Sequence, residues 1–300
     1  MIDKKYLIAG ATGFLGKYIV SSIPEGCFDS IGRSNKNSIS YDFYHEKHPL
    51  ILKHSYENLI IATGRAHVRK HHADEEQLSD LANYRSVKIL IEAIDKSKLQ
   101  GVVFVSTVAV YGFNSGVEIK EDTALAGETP YAKSKIKAES FLREWSNEVG
   151  IPVLILRVPL IVGKNPPGNL GQMISALKKG FYFSVAGGKA RRSMVLAEDI
   201  ARLIIDNCGS NGTFNLADGK HPSYRELESV ICKQLNRPIS RNIPLFIAKC
   251  LASIGDVISF FPLNSDKLEK LIHDYIIDDS KARRELNWNP RSVVNHFKIE

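Results

Sequence analysis

The sequence predicts an α/β fold, with a doubly wound, mostly parallel sheet and a smaller C-terminal domain. Two observations carry this prediction. Short apolar runs rich in β-branched residues alternate with helical patterns through the first half of the chain, as in a parallel sheet covered by helices on both faces. The glycine-rich segment Gly10–Gly16 separates the first apolar run from the first helical pattern, which is typical of this class.

The elements of the first half follow one another at short intervals. Apolar runs bounded by glycine or polar residues predict strands, and apolar residues at a helical period predict helices. The predicted strands are Tyr6–Ala9, Phe28–Gly32, Leu59–Ala62, Val102–Ser106 and Val153–Val158, and the predicted helices are Phe14–Ser22, Leu78–Lys96 and Tyr131–Val149.

The pattern changes after Gly163, where a loop rich in proline and asparagine begins. From Pro238 onward it is mostly helical. We expect residues 1–163 to form the first domain, with 193–218 returning to it, and residues 164–192 and 219–300 to form the second. The elements predicted in between are the helix Gln172–Lys179, the strands Met194–Leu196 and Thr213–Leu216, and the helix Tyr224–Leu235 with Ser223 and Glu226 as a capping box.

Composition restricts the class of partner. The 300-residue chain has a formal net charge of +7, but its basic residues are scattered and form no stripe interleaved with aromatic residues. This argues against nucleic acid and favours an anionic metabolite. The four cysteines lack C-x-x-C spacing, so we expect no metal site, and free thiols suit a cytoplasmic location.

No stretch of the sequence approaches 18 consecutive uncharged apolar residues, so no integral membrane segment is expected. The nearest candidate is Ile243–Leu263, which contains Lys249 and Asp256. We interpret it as packed amphipathic helices. A segment that contacts a membrane surface is the alternative.

The glycine turn predicts a dinucleotide site within a Rossmann fold. Glycines let the main chain turn tightly and approach a pyrophosphate, and the following helix offers free N–H groups and a partial positive charge. A purely structural turn is the alternative. The expected cofactor contacts are Gly10, Thr12, Gly13, Phe14, Leu15 and Gly16.

A tyrosine and a lysine lie four residues apart at the start of a predicted helix. Tyr131 and Lys135 therefore share one helix face. We expect the lysine ammonium to lower the pKa of the phenol and to fit it for acid–base catalysis. Ser106 and Thr107 close the preceding strand, and a hydroxyl there could orient a carbonyl or hydroxyl beside the tyrosine. A surface pair of residues is the alternative interpretation.

In this order, the motifs resemble the extended short-chain dehydrogenase/reductase family. The resemblance is to nucleotide-sugar 4-epimerases and 4-ketoreductases of bacterial surface-polysaccharide pathways. It covers nearly the whole chain. The segments that carry it are Gly10–Gly16, Ile60–Val68, Asn83, Val105–Gly112, Pro130–Lys135, Leu156–Gly163, Arg191–Asp199 and Ser280–Pro290.

The resemblance implies roles for individual residues. Thr107 would be the hydroxyl partner, Tyr131 the acid–base and Lys135 its activator. Thr63, Gly64, Asn83, Ser106 and Pro159 would lie at the cofactor, and Arg65, Asn169 and Arg192 at the substrate, with Arg192 on its diphosphate. Relatives often dimerise through two helices, so a homodimer is also expected.

Cofactor choice depends on the end of the second strand. An acidic residue there would bond the adenosine ribose, but this chain has Arg33 and Ser34. A guanidinium suits a 2′-phosphate. We therefore expect NADP to be preferred over NAD, with Asp42 as a later contact near the adenine.

The resemblance implies hydride transfer at C4 of a nucleotide-diphosphate hexose, with UDP as the expected nucleotide. A UDP-4-keto-6-deoxy-hexosamine 4-reductase is the leading hypothesis. A UDP-hexose or UDP-N-acetylhexosamine 4-epimerase using the same residues is the first alternative. A non-catalytic dinucleotide-binding regulator is the second, and the complete Tyr, Lys and Thr set argues against it.

Overall fold

The computed structural model describes residues 4–45, 48–64, 74–258, 261 and 263–299. Within them, seven strands form one sheet and six shorter strands form three separate pairs. The main sheet contains β1 Lys4–Ala9, β2 Phe28–Gly32, β3 Ile39–Ser40, β4 Tyr56–Ile61, β5 Gly101–Thr107, β7 Val153–Val158 and β11 Gly212–Asn215. The short strands are β6 Gly116–Ile119, β8 Leu160–Val162, β9 Ser184–Val185, β10 Met194–Leu196, β12 Asn242–Ile243 and β13 Tyr275–Ile277.

The main sheet is parallel throughout and has the order β3-β2-β1-β4-β5-β7-β11. The strands are added to the sheet in opposite directions from β1. Strands β2 and β3 lie on one side of it, and β4 and the later strands lie on the other. At such a switch point the carboxyl ends of the strands open a crevice in which ligands bind. This geometry confirms the predicted doubly wound α/β class.

Helices cover both faces of the sheet and bury two apolar cores. Along β1, Ile8 belongs to the core under α1 and α6, and Leu7 to the core under α3 and α4, as the alternation of side chains along a strand requires. The helices are α1 Phe14–Ser21, α2 Glu75–Asp80, α3 Ser86–Ala93, α4 Pro130–Val149, α5 Gly168–Lys179, α6 Ala197–Asp206, α7 Tyr224–Gln234, α8 Leu245–Val257, α9 Ser265–Ile272, α10 Ser280–Glu285 and α11 Val293–His296.

Most predicted elements are present, with two informative differences. The helix predicted at Leu78–Lys96 spans α2 and α3, joined by a π-helical turn at Leu81–Arg85. Helix α6 was not predicted, although its inward residues Ile200, Leu203 and Ile204 have helical spacing. The strand at Phe28–Gly32 and the capping box of α7 are confirmed.

Three short strand pairs lie outside the main sheet, and most of their strands come from the second half of the chain. Strand β8 pairs with β10, β9 with β12, and β6 with β13, all in parallel. Strand β11 returns to the main sheet next to β7. The predicted domain boundaries remain a prediction. Within the described ranges, no helix combines the length and the apolarity needed to cross a membrane.

Candidate active site

A cleft of about 560 Å³ opens at the carboxyl ends of β1, β2 and β4. It occupies the switch point of the sheet, where the topology predicts a ligand. Its described lining contains the predicted cofactor residues Gly10, Thr12, Gly13, Arg33, Ser34, Thr63 and Gly64, together with Ile31, Gly32, Phe43, Tyr44, Ala62 and Ala82.

The glycine turn needs its glycines for two different reasons. Gly10 has φ +91°, and a Cβ there would lie 2.7 Å from the main-chain carbon of Ala62, which directly follows the neighbouring strand β4. A Cβ on Gly16 would lie 2.0 Å from the Gly10 oxygen, so this glycine lets helix α1 pack against the turn. No side chain caps the first turn of α1 at Gly13. Its N–H groups are therefore available to an anion.

The end of β2 presents a cation to this cleft. The guanidinium carbon of Arg33 lies 4.6 Å from the ring centre of Tyr44, within the range of a cation–π contact. Asp42 is nearby, but its carboxylate accepts hydrogen bonds from the main-chain N–H of Tyr44 at 3.0 Å and from the ring of His45 at 2.9 Å. Asp42 thus shapes the turn that positions Tyr44, which the sequence did not indicate as a cleft residue.

The proposed catalytic residues lie where β5 ends and α4 begins. Thr129 caps α4 by accepting from the Ala132 N–H at 3.1 Å, and Pro130 occupies the first turn. This start fixes Tyr131 and Lys135 on one helix face. Thr107 ends β5, and its hydroxyl accepts from the Ala109 N–H at 3.2 Å. A hydrogen bond between Thr107 and the Tyr131 phenol also lowers the pKa of that phenol.

Lys135 is almost completely buried, with 1% of its surface exposed. Its Nζ donates to the main-chain oxygens of Thr63 at 3.0 Å and Val105 at 2.8 Å, and it lies 4.4 Å from the ring centre of Phe104. Burial lowers the pKa of Lys135 to about 7. The lysine therefore joins the floor of the cleft to the end of β5.

One electrostatic expectation is wrong for this arrangement. Burial raises the pKa of Tyr131 to about 12, and the opposing effect comes from Thr107, not from Lys135. The reason is the competition for the lysine, whose Nζ is held by two carbonyl oxygens and has lost much of its own tendency to carry charge.

Asn83 is connected to the catalytic helix through a short chain of hydrogen bonds. Its Nδ2 donates to the Ser134 hydroxyl at 2.9 Å, and that hydroxyl donates to the Tyr131 main-chain oxygen at 2.9 Å. Asn83 is fully buried and lies on the π-helical turn between α2 and α3. Such turns are frequent at functional sites. The Asn83 Oδ1 would be 3.5 Å from a Cβ placed on Gly64, so it borders the cleft.

A buried ionic cluster lies behind Lys135, one helical turn along α4. The Glu139 carboxylate accepts from Arg157 Nη2 at 2.8 Å, from Arg143 and from the Ser106 hydroxyl. Because the Ser106 hydroxyl donates to Glu139, only the main chain of Ser106 could make the cofactor contact predicted for this residue. Sequence reasoning missed Glu139 and Arg157. A lone arginine within the apolar strand Val153–Val158 was the available signal, since a buried charge requires a partner.

The remaining predicted cofactor residues differ in what they present. The Leu15 side chain belongs to the apolar core, so only its main chain can contact a cofactor. Phe14 packs edge-on against Tyr18, with ring centres 5.7 Å apart. Pro159 is half-buried between β7 and β8, and Asn169 is exposed in the first turn of α5. Arg65 lies outside the described residues.

Arg192 lies between two aromatic rings, 5.5 Å from the centre of Tyr275 and 5.9 Å from that of Tyr224. Its guanidinium donates to the main-chain oxygens of Asn114 and Lys270. Its Nε is buried and has no hydrogen-bond partner among the described residues. Arg192 is therefore held in place by its neighbours and still has an N–H group that can donate a hydrogen bond, as the role expected on a diphosphate requires.

Three features of the cleft lining fit a dinucleotide. Thr63 Oγ1 is buried and lacks a hydrogen-bond partner among the described residues, and such a group normally has one. The adjacent glycine turn can approach phosphates closely, and Arg33 supplies a positive charge. No group of three potential metal ligands occurs in the part of the chain that the structure describes.

Comparisons with known proteins agree with this architecture. Residues 6–217 match the model of the NAD dependent epimerase/dehydratase family. The chain is 27% identical over 169 residues to N-acetyl-alpha-D-glucosaminyl-diphospho-ditrans,octacis-undecaprenol 4-epimerase of Escherichia coli O157:H7, covering 54% of this chain and 51% of that protein. It is 23% identical over 321 residues to dTDP-4-dehydro-6-deoxyglucose reductase of Escherichia coli, covering 96% of this chain and 93% of that protein.

Among solved structures, UDP-N-acetylglucosamine 4-epimerase from Methanobrevibacter ruminantium M1, in complex with UDP-N-acetylmuramic acid, superposes with a TM-score of 0.75. It shares 22% identity, and the match covers 97% of this chain and 94% of that chain, which demonstrates the fold. For several curated relatives the match is shorter and takes in only 51% to 59% of the relative's own length.

Proposed function

This chain belongs to the NAD dependent epimerase/dehydratase family, and on that premise we propose that it is a nicotinamide-dependent oxidoreductase acting at C4 of a nucleotide-diphosphate hexose. The leading candidate activity is the reduction of a UDP-4-keto-6-deoxy-hexosamine. Tyr131, Lys135 and Thr107 lie together beside the cleft, which supports an enzyme over a dinucleotide-binding regulator.

The side chains have distinct tasks in this reaction. Tyr131 donates its phenolic proton to the oxygen on C4, and its high pKa keeps that proton available at neutral pH. Thr107 holds the same oxygen in place. Lys135 lies one turn further along the same face of α4, bordering the cleft at Gly64, where it would hold the nicotinamide ribose. A nicotinamide dinucleotide, held by the glycine turn, Arg33 and Thr63, would supply hydride transfer when bound.

The contact between Arg33 and Tyr44 carries the preference for a reductase. Arg33 brings a cation to the cleft, the Tyr44 ring holds it, and the described cleft lining contains no aspartate or glutamate. These features favour the 2′-phosphate of NADP over the free ribose hydroxyl of NAD. A reductase consumes NADPH and must exchange it at every turnover.

A 4-epimerase is the second candidate. Two of the matched proteins described above bear that activity in their names, and the same three side chains can serve it. In that reaction Tyr131 must start as the phenolate, accept the proton of the C4 hydroxyl and later return it. An epimerase regenerates its cofactor within each cycle and therefore gains from holding NAD tightly.

Cofactor binding distinguishes the two candidates. We expect wild-type protein to bind NADPH more tightly than NADH, and Arg33→Ala to lose most of that difference, while Lys36→Ala, at an exposed neighbouring lysine, retains it. In a parallel assay, adding a UDP-4-keto-6-deoxy-hexosamine should oxidise NADPH, and the loss of absorbance of the reduced cofactor measures this reaction. Tighter binding of NADH, or protein that purifies with bound NAD and interconverts UDP-N-acetylhexosamines, would establish the epimerase instead.

A further inference from the structure

Helix α8 turns its small residues inward and its large apolar residues outward. Ala248, Ala252 and Gly255 are the buried positions of this helix, and a Cβ on Gly255 would lie 1.7 Å from the Leu263 oxygen. On the outer side, Phe246 is 78% exposed and Val257 is 86% exposed. A surface helix of a globular protein normally has the reverse arrangement.

The exposed stripe has a regular helical spacing. Phe246, Ile254 and Val257 lie eight and three residues apart and therefore share one face, with Ile247 and Ile258 beside them. Single exposed apolar residues are common on proteins, but a contiguous group of large ones marks an interaction site.

A second exposed apolar group lies on the strand pair next to α8. Phe181 and Phe183 precede β9, and both are exposed. Strand β9 pairs with β12, which ends one residue before Pro244, the N-cap of α8. Val185 and Ile243 from this pair pack against the buried side of α8. The apolar residues of both elements thus belong to one region, which we call the α8 surface.

The same region is strongly basic. Two stretches contribute to it, residues 178–189 and 233–249, and together they contain seven lysines and arginines and no aspartate or glutamate. The stretches are tied together, since Arg237 donates to the Lys178 main-chain oxygen at 3.1 Å and the Ser184 N–H donates to the Arg241 oxygen at 3.0 Å. Asp256, the acid of α8, is bonded to Ser265, and the acids of the adjoining helix α9, Asp266 and Glu269, are paired with Lys270 and His273.

We propose that the α8 surface docks the protein on an anionic lipid bilayer, with Phe246, Val257 and Phe181 entering the headgroup region and the surrounding lysines and arginines facing the lipid phosphates. Large apolar residues combined with cationic side chains are the features by which a helix lies in a membrane interface. Docking of this kind requires no segment that spans the membrane.

Charge favours this occupant over a second copy of the chain. A two-fold symmetric contact places a surface against itself. Cations of the α8 surface would then approach cations of the partner, without acidic residues in the two stretches to compensate them. An anionic bilayer complements the same charges and accepts the apolar side chains.

Flotation of the full-length protein with vesicles tests the proposal. We expect binding to vesicles of phosphatidylcholine with phosphatidylglycerol, and little binding to phosphatidylcholine alone. Substituting both Phe246→Ser and Val257→Ser should reduce the bound fraction at least about fivefold, because the inserted apolar area is lost. The charge variant Lys178→Glu with Lys179→Glu should reduce it as well, and added salt should weaken binding of the wild type.

The control is Ile51→Ser, because Ile51 is 81% exposed but lies in the loop between β3 and β4; it should bind as the wild type does. Circular dichroism should be unchanged in every variant. Equal binding to both kinds of vesicle, or equal loss in the Ile51 control, would overturn the proposal. Concentration-dependent dimers in gel filtration that Phe246→Ser makes monomeric would assign the surface to a second copy. Reductase or epimerase activity is assayed separately with soluble substrate, so docking can fail while the proposed function stands.

Discussion

Arg157 and Glu139 form an ion pair that is sealed inside the protein, with Nη2 of the arginine 2.8 Å from the carboxylate and both side chains at most 2% exposed. Burial alone would raise the pKa of Glu139, but the hydrogen bonds and charge of Arg157 hold it below its usual value. The pair lies directly behind Lys135. Burial lowers the pKa of this lysine, and the negative charge of Glu139 offsets part of that lowering. It therefore links the interior of the sheet to the proposed catalytic lysine.

We predict that Glu139→Gln lowers the free energy of unfolding by about 3 kcal/mol, because it leaves the Arg157 charge buried and unpaired. Urea unfolding measures this change. The matched control is Glu144→Gln on the exposed side of the same helix, expected to change stability by less than about 0.5 kcal/mol. Adding Arg157→Met to Glu139→Gln should recover part of the loss, and a double variant less stable than Glu139→Gln would contradict the assigned pairing.

We predict that Tyr131→Phe lowers kcat by about 10²–10⁴ while leaving cofactor binding nearly unchanged. In the proposed reaction the hydroxyl donates the proton, whereas the ring only fills space. Steady-state kinetics and dinucleotide titration measure the two effects. Tyr84→Phe, at a half-buried tyrosine on the π-helical turn, serves as the control and should keep full activity. A Tyr131→Phe protein with more than about a third of the wild-type kcat would remove the acid–base assignment.

Burial of Lys135 makes stability depend on pH. The pKa of this lysine is about 7 in the folded protein against an ordinary 10.5. Between these two values the unfolded chain binds more protons than the folded one, so stability rises with pH. Below pH 7 the cost of burying the charge is complete.

We predict that Lys135→Met flattens this dependence. The stability difference between variant and wild type should shift in favour of the wild type by about 4 kcal/mol from pH 6 to pH 10. Urea unfolding at several pH values measures it. The substitution also removes two hydrogen bonds and so changes the absolute stability. The test is therefore the slope of the unfolding free energy against pH. Parallel slopes for the two proteins would mean that Lys135 keeps an ordinary pKa.

We predict that Arg192→Ala mainly raises KM for the nucleotide sugar and changes dinucleotide affinity little. A guanidinium binds phosphate oxygens with paired hydrogen bonds, which a methyl group cannot replace. Arg191→Ala is the control, since that exposed neighbour donates instead to the main-chain oxygens of Lys220 and His221. If Arg192→Ala weakens both ligands equally, the residue supports the fold between Tyr224 and Tyr275 and not the substrate.

Local spacing predicted the parts of the site that a single element positions. Tyr131 and Lys135 share a face because four residues make about one helical turn, and the glycine turn follows from its place between β1 and α1. The contact between Arg33 and Tyr44 was not predicted, because both residues lie outside helices and strands, where regular spacing gives no information. Glu139 and Arg157 lie on a helix and a strand that only the packed fold brings together.

The outward face of α8 could not be predicted for a different reason. Periodicity identifies a stripe of small residues and a stripe of large ones, but it does not say which stripe packs inward. The close approach of α8 to the chain near Leu263 decides this, since only glycine fits at position 255. Tertiary packing therefore overrides the usual preference for burying the larger side chains.

The π-helical turn at Leu81–Arg85 has a consequence for the history of this chain. A π turn contains one residue more than the α turn it replaces, and one residue corresponds to about 100° of helix rotation. Deleting a single residue from this turn would restore a regular α-helix and swing Asn83 away from the Ser134 hydroxyl. Homologues that keep the asparagine contact should therefore also keep the length of this segment.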